Sequence, residues 1–118
     1  VIHIESICER LPELVPWQPP SLLHGDLWPG NILVDEQGKP ALLDPAIYYG
    51  WREADLAMSL LFGGLPHEFY VAYEESWPLE NGWRSRVPLY NLYHLLNHLN
   101  IFGESYLPQV VDTVSRYA

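Results

Sequence analysis

The stretch His24-Gly25-Asp26-Leu27-Trp28-Pro29-Gly30-Asn31, followed thirteen residues after Asn31 by Asp44-Pro45-Ala46, decides how this 118-residue chain reads. A loop bearing His24, Asp26 and Asn31 runs into the apolar segment Ile32-Leu33-Val34, the turn Asp35-Glu36-Gln37-Gly38-Lys39, and a second apolar segment Ala41-Leu42-Leu43 that ends at Asp44. Two short apolar runs around a Gly-containing turn predict a β-hairpin, which folds Asp44 back beside Asn31. Phosphoryl transfer calls for such a set. Its negative charge is spread over divalent cations and the acceptor hydroxyl is held in line, so the protein supplies oxygen ligands and a carboxylate rather than a covalent nucleophile. Asp26 is then the candidate base. Asn31 offers an amide oxygen and Asp44 a carboxylate to Mg²⁺, a hard cation that binds through few protein oxygens. Each piece alone has an ordinary explanation as a chance His-x-Asp, a turn or a loop opening. Their joint context carries the chemistry.

The segment Ser21 to Met58, with HGDLWPGN and then DPAIYYGWREADLAM, resembles the fructosamine kinase (ketosamine kinase) family, relatives of aminoglycoside phosphotransferases and choline kinases. The catalytic-loop pattern belongs to that whole superfamily. Leu27-Trp28, Tyr48-Tyr49-Gly50, Arg52-Glu53 and Asp55-Leu56-Ala57-Met58 are what resemble this family in particular, and a weaker resemblance continues through Tyr90 to Asn97 and Phe102-Gly103. The resemblance implies Asp26 as catalytic base, Asn31 and Asp44 as Mg²⁺ ligands, ATP as co-substrate, and a small-molecule or protein-bound ketosamine as acceptor. It implies an α+β, mostly α fold, the C-terminal lobe of a protein-kinase-like fold with a short β-hairpin carrying the metal site. The expected function is ATP-dependent phosphorylation of a ketosamine hydroxyl. An aminoglycoside- or choline-type kinase lobe is the alternative within this class, and a non-catalytic binding or regulatory fragment the alternative outside it.

Kinases of this shape hold ATP between two lobes, with a Gly-rich turn and a Lys from the N-terminal lobe on the phosphates. Neither is present: the only lysine is Lys39, in the hairpin turn, and no Gly-rich phosphate motif occurs. Residues 1–118 are therefore expected to be the catalytic-loop lobe, the nucleotide lobe being absent from this chain, which begins at Val1 as if in mid-helix. Such a piece is expected to be folded but inactive alone, and to self-associate through its uncovered face.

Departures from protein kinases narrow the acceptor. Gly25 stands where a His-Arg-Asp loop has its Arg, so no guanidinium is there to read a phosphorylated activation loop. Pro45 follows Asp44 and fixes φ near −65°, which resists a backbone flip at that point. Ten residues separate Asp44 from Asp55, too few for a peptide-docking segment. Six basic against fifteen acidic residues give a net charge of −9, which repels nucleic acid and anionic membranes. One cysteine, Cys8, excludes an intrachain disulfide, and no apolar run approaches a membrane span. A cytoplasmic setting is expected.

Helices are expected at Ile4 to Leu11, closed by Pro12; Glu53 to Phe62; Pro66 to Glu75; Pro88 to Phe102; and Pro108 to Tyr117. Ser21-Leu22-Leu23 reads as a strand leading to the catalytic loop. On the long helix Leu89, Leu92, Tyr93, Leu96 and Leu99 or Asn100 trace one face, and on the last Val110, Val111, Val114 and Tyr117. Asp55, near a helix start, is either an ordinary dipole-compensating acid or, as the resemblance implies, a group that orients the catalytic loop. His24 reads as a structural anchor, and Trp28 and Tyr48 as candidate walls of the substrate site. His94 and His98, spaced i, i+4, are read as ordinary histidines, because Leu95 stands where a zinc protease needs Glu.

Overall fold

The computed structural model describes residues 2–117, without the side chain of Ile2; Val1, expected to lie in mid-helix, falls outside them. The elements are α1 (Ile2–Leu14), β1 (Ser21–Leu23), a single 3₁₀ turn (Pro29–Asn31), β2 (Ile32–Val34), β3 (Pro40–Leu42), β4 (Tyr48–Gly50), α2 (Arg52–Leu61), α3 (His67–Ser76), α4 (Trp83–Phe102), a second 3₁₀ turn (Glu104–Tyr106) and α5 (Leu107–Tyr117). The protein is mostly helical, with two small antiparallel sheets. None of the described helices is long and apolar enough to cross a membrane.

The apolar stripes of α1, α4 and α5 meet in one core of Ile7, Val15, Leu89, Leu92, Leu95 and Val110. A second, smaller cluster of Leu56, Tyr70 and Trp83 lies where α2, α3 and the start of α4 converge. The buried Asn91 amide donates to the Ala57 carbonyl at 2.8 Å, tying α4 to α2. Arg52 stacks on Trp77 at 3.9 Å from the ring centroid and donates to the Trp77 carbonyl at 2.7 Å, clamping the loop after α3 against the start of α2.

In the hairpin, Ile32 pairs with Leu42 and Val34 with Pro40. Asp35 closes its turn locally: the Oδ1 atom accepts the Gln37 and Lys39 N–H groups, both at 2.8 Å. The second sheet was not expected. β1 pairs with β4, Ser21 opposite Gly50 and Leu23 opposite Tyr48, so the strand before the His24–Asn31 loop is held by one that follows the Asp44 segment.

Three helical expectations are corrected. α1 continues through Pro12 to Leu14. Proline forfeits only the bond to the Cys8 carbonyl there, on an exposed turn that water can reach. α4 begins at Trp83 rather than Pro88, because the buried Trp83 ring and the Arg86 pairing described below anchor the extra turns. Its buried face is Leu89, Asn91, Leu92 and Leu95, while Tyr93 is 72% exposed. On α5, Thr113 is buried and Val111 is exposed.

Candidate functional site

The loop after β1 is held from both sides. The Asp55 carboxylate, on the first turn of α2, accepts the His24 N–H at 2.7 Å and the Gly25 N–H at 3.0 Å. His24 bridges the loop to the hairpin: its Nε2–H donates to the Leu43 carbonyl at 2.8 Å, and Nδ1 accepts the Asp26 N–H at 3.2 Å. A carbonyl can only accept and an amide N–H can only donate, so these partners fix one neutral tautomer.

Gly25 has φ +87°, and a Cβ there would stand 2.0 Å from the Ala46 oxygen. That carbonyl belongs to the segment tied back by the Ala46 N–H to His24 carbonyl bond of 2.7 Å. Gly25→Ala is expected to cost about 2 kcal/mol or more, the left-handed penalty plus displacement of Ala46. Urea denaturation checks this; an unchanged midpoint would mean that the two segments are not packed as described.

Asp26 and Asn31 share one amide. Asn31 Nδ2 donates to the Asp26 carbonyl oxygen at 2.9 Å and to Asp26 Oδ2 at 3.0 Å. Both partners are acceptors, which assigns the nitrogen and leaves the Asn31 amide oxygen as the atom that can ligate a cation. Asp44 is exposed, one residue past a Leu43 N–H to Asn31 carbonyl bond of 2.8 Å, and its φ of +46° is left-handed, a conformation that costs a residue with a Cβ about 1–2 kcal/mol. The bonds at Leu43 and Ala46 hold it there. Among the described residues no three His, Cys, Asp or Glu side chains converge as a metal cluster. Two oxygen donors, one amide and one carboxylate, fit Mg²⁺, which keeps water and phosphate oxygens in its other positions.

Two cavities flank the loop. The larger, about 810 Å³, is walled by apolar and aromatic groups of α1, β4 and α4 with Gly25 and Ala46, and contains no carboxylate. The smaller, about 340 Å³, is lined by Asp26, Trp28, Met58, Phe62 and His98. Of the two, only the smaller is lined by a carboxylate, that of Asp26. Trp28 and Tyr48 thus stand at different cavities. The Trp28 ring lies over Gly30, where an added Cβ would come within 2.2 Å of it, and packs edge-on against Phe62. Tyr48 lines the larger cavity, its phenol pushed up by burial and then by Asp55 and Tyr93. His94 lines the larger cavity too, held below the ordinary imidazole range by burial against an opposing pull from Asp26.

Met58, Phe62 and His98 were not singled out as site residues. Met58 lies on α2, Phe62 just after its end and His98 on α4; Met58 was marked only as part of the family resemblance, and the spacings of all three read as core packing. The pair of buried Glu53 with part-buried Arg86 was also missed. Arg86 Nε and Nη2 donate to the two Glu53 carboxylate oxygens at 2.7 and 3.1 Å, and Gln18 Nε2 adds a contact at 3.3 Å.

Comparison with known proteins bears on the whole chain. A family model described as "Fructosamine kinase" matches residues 1–118. A "Probable ketoamine kinase" of Enterococcus faecium is 60% identical over 98 residues, which are 83% of this chain and 35% of that protein. A "Probable ketoamine kinase" of Vibrio cholerae is 45% identical over 113 residues, 96% of this chain and 38% of the relative. A "Protein-ribulosamine 3-kinase, chloroplastic" of Oryza sativa subsp. indica is 49% identical over 100 residues, 83% of this chain and 28% of the relative. A solved structure described as "putative fructosamine-3-kinase" from Thermobifida fusca superposes with a TM-score of 0.84 at 44% identity, over 97% of this chain and 40% of the other. The chain spans about a third of the length of the curated relatives it matches.

Proposed function

The chain belongs to the fructosamine kinase family, and from that membership and the loop geometry we propose that it is the catalytic-loop lobe of an ATP-dependent kinase that phosphorylates a ketosamine hydroxyl. The observation that carries this reading is the Asp26 carboxylate bonded to the Asn31 amide, in a loop tied at once to Asp55 and to the Asp44 segment. Asp26 Oδ2 is engaged by Asn31, and Oδ1 meets the acceptor hydroxyl and takes its proton. The Asn31 amide oxygen and the Asp44 carboxylate would hold Mg²⁺, which when bound neutralises charge on the ATP phosphates. Asp55 and His24 act on neither substrate; they position Asp26 through the backbone. Trp28 walls the acceptor cavity and Tyr48 the neighbouring one.

The nucleotide lobe, on this reading, is supplied by sequence outside residues 1–118. Trp17, Leu22, Leu33, Val34, Leu42, Ile47 and Tyr49 are exposed apolar side chains, most of them on the two sheets, and form the face that lobe covers. Alone, the chain self-associates through it and turns over nothing. The setting is cytoplasmic, and the acceptor is a free or protein-bound ketosamine.

The test is phosphorylation of a fructosyl-amine by the complete reading frame with Mg-ATP, with the 118-residue chain as comparison. Transfer by the first and silence of the second are expected; transfer by the isolated chain would overturn the two-lobe reading. Asn31→Ala and Asp44→Asn should raise the Mg²⁺ needed for half-maximal rate about tenfold or more, and exposed Asp44→Asn should do so with the thermal midpoint near that of the parent. Unfolding with a normal Mg²⁺ requirement would make either residue structural.

A further inference from the structure

The cavity that Asp26 lines is completed by Trp28, Met58, Phe62 and His98. A sugar hydroxyl drawn into such a lining gives up its water and needs a protein acceptor in return. Acceptors are scarce there. Asp26 Oδ2 already takes the Asn31 amide, and Oδ1 meets the reacting hydroxyl on the proposed reading. Phe62 has no polar atom, the Met58 thioether accepts only weakly, and the Trp28 indole N–H can only donate. For a second sugar hydroxyl the His98 imidazole is the acceptor this lining offers.

The ring is prepared for that part. Its Nδ1 lies 2.7 Å from the His94 carbonyl, one turn earlier on α4; a carbonyl can only accept, so Nδ1–H donates and the neutral ring keeps its lone pair on Nε2. Phe62, Phe102 and Tyr106 pack around the imidazole at centroid distances of 5.6, 5.5 and 5.2 Å. Rotation is thereby restricted, and Nε2 is a placed acceptor. Helical side chains lean toward the helix N-terminus, so this one leans from residue 98 toward His94, where the Asp26 charge is felt. We propose that His98 is a specificity residue of the acceptor site, its Nε2 taking a hydrogen bond from a second hydroxyl of the sugar whose first hydroxyl meets Asp26; the proposal rests on the reading of Asp26 as the base of a ketosamine kinase. Two hydroxyls held at two fixed points orient the sugar. One held point would leave it free to turn about Asp26.

The experiment measures kcat/KM of the complete protein for a fructosyl-amine and for its analogues lacking one sugar hydroxyl at a time. The analogue without the acceptor hydroxyl cannot react, and one other should fall about tenfold or more below the parent adduct, because its loss leaves a placed acceptor unpaired. His98→Phe keeps a ring among Phe62, Phe102 and Tyr106 but removes Nε2, and should bring that parent-to-deoxy ratio near one. His98→Gln can set an amide oxygen near the Nε2 position and should restore the ratio in part. Each ratio is taken on one preparation, so a loss of folded protein cancels from it. A ratio unmoved by His98→Phe, a ratio equal in the two variants, or no second deoxy analogue disfavoured by the parent protein overturns the assignment while leaving the kinase reading intact. No transfer to the complete fructosyl-amine overturns the kinase reading and the assignment with it.

Discussion

Asp26→Asn is expected to lower kcat of the complete protein by about 10²–10⁴-fold while the KM for ATP changes little. The carboxylate does not reach the nucleotide on the proposed reading; its contribution appears when the hydroxyl proton leaves, so its removal is felt in the transition state and hardly in ground-state binding. The amide substitution is the demanding form of the test. Asn fills the same volume, can still meet Asn31 Nδ2 through its oxygen, and leaves the backbone carbonyl of residue 26 as the other partner of that amide. Loop geometry is thereby kept and proton acceptance is lost. Steady-state kinetics with a fructosyl-amine and ATP varied in turn separates the two effects, and an unchanged kcat would remove Asp26 from the chemistry.

How much of this was legible in the sequence depended on how local the cause is. The hairpin of β2 and β3 was readable to within one residue, since its turn is closed by Asp35 on neighbours two and four residues away. β4 was not: three residues, one of them Gly50, form a strand only because β1 lies opposite, more than twenty residues earlier. The same holds for α4. Pro88 is a good local marker of a helix start, yet the burial of Trp83 and the reach of Arg86 to Glu53 extend the helix upstream of it. Residues of the loop itself could be named from one stretch of chain. The cavity they face could not, because Met58, Phe62 and His98 are spread over forty residues and converge only when α2 packs along α4.

Arg86→Ala is expected to destabilise the chain by about 3–5 kcal/mol, a large part of the total for a domain of this size. Glu53 is only 1% exposed and receives both donors of the guanidinium fork, which in turn keeps Arg86 more firmly charged. Truncating Arg86 strands a buried carboxylate with one longer contact from Gln18. A solvent-exposed pair of the same kind would cost under about 1 kcal/mol, so equilibrium unfolding in urea distinguishes the two cases sharply. The paired replacement Glu53→Met with Arg86→Met should recover most of the loss, because the penalty comes from the unpaired charge rather than from the missing attraction. Its consequence reaches the site. Glu53 lies two residues before Asp55 in the first turn of α2, and Asp55 holds the His24 and Gly25 amides. The doubly substituted chain, stable but without the ion pair that fixes this turn, should therefore regain its unfolding midpoint more fully than the complete enzyme carrying it regains kcat. Equal recovery of both would show that the pair supports folding alone and leaves the position of the catalytic loop to the remaining contacts of α2.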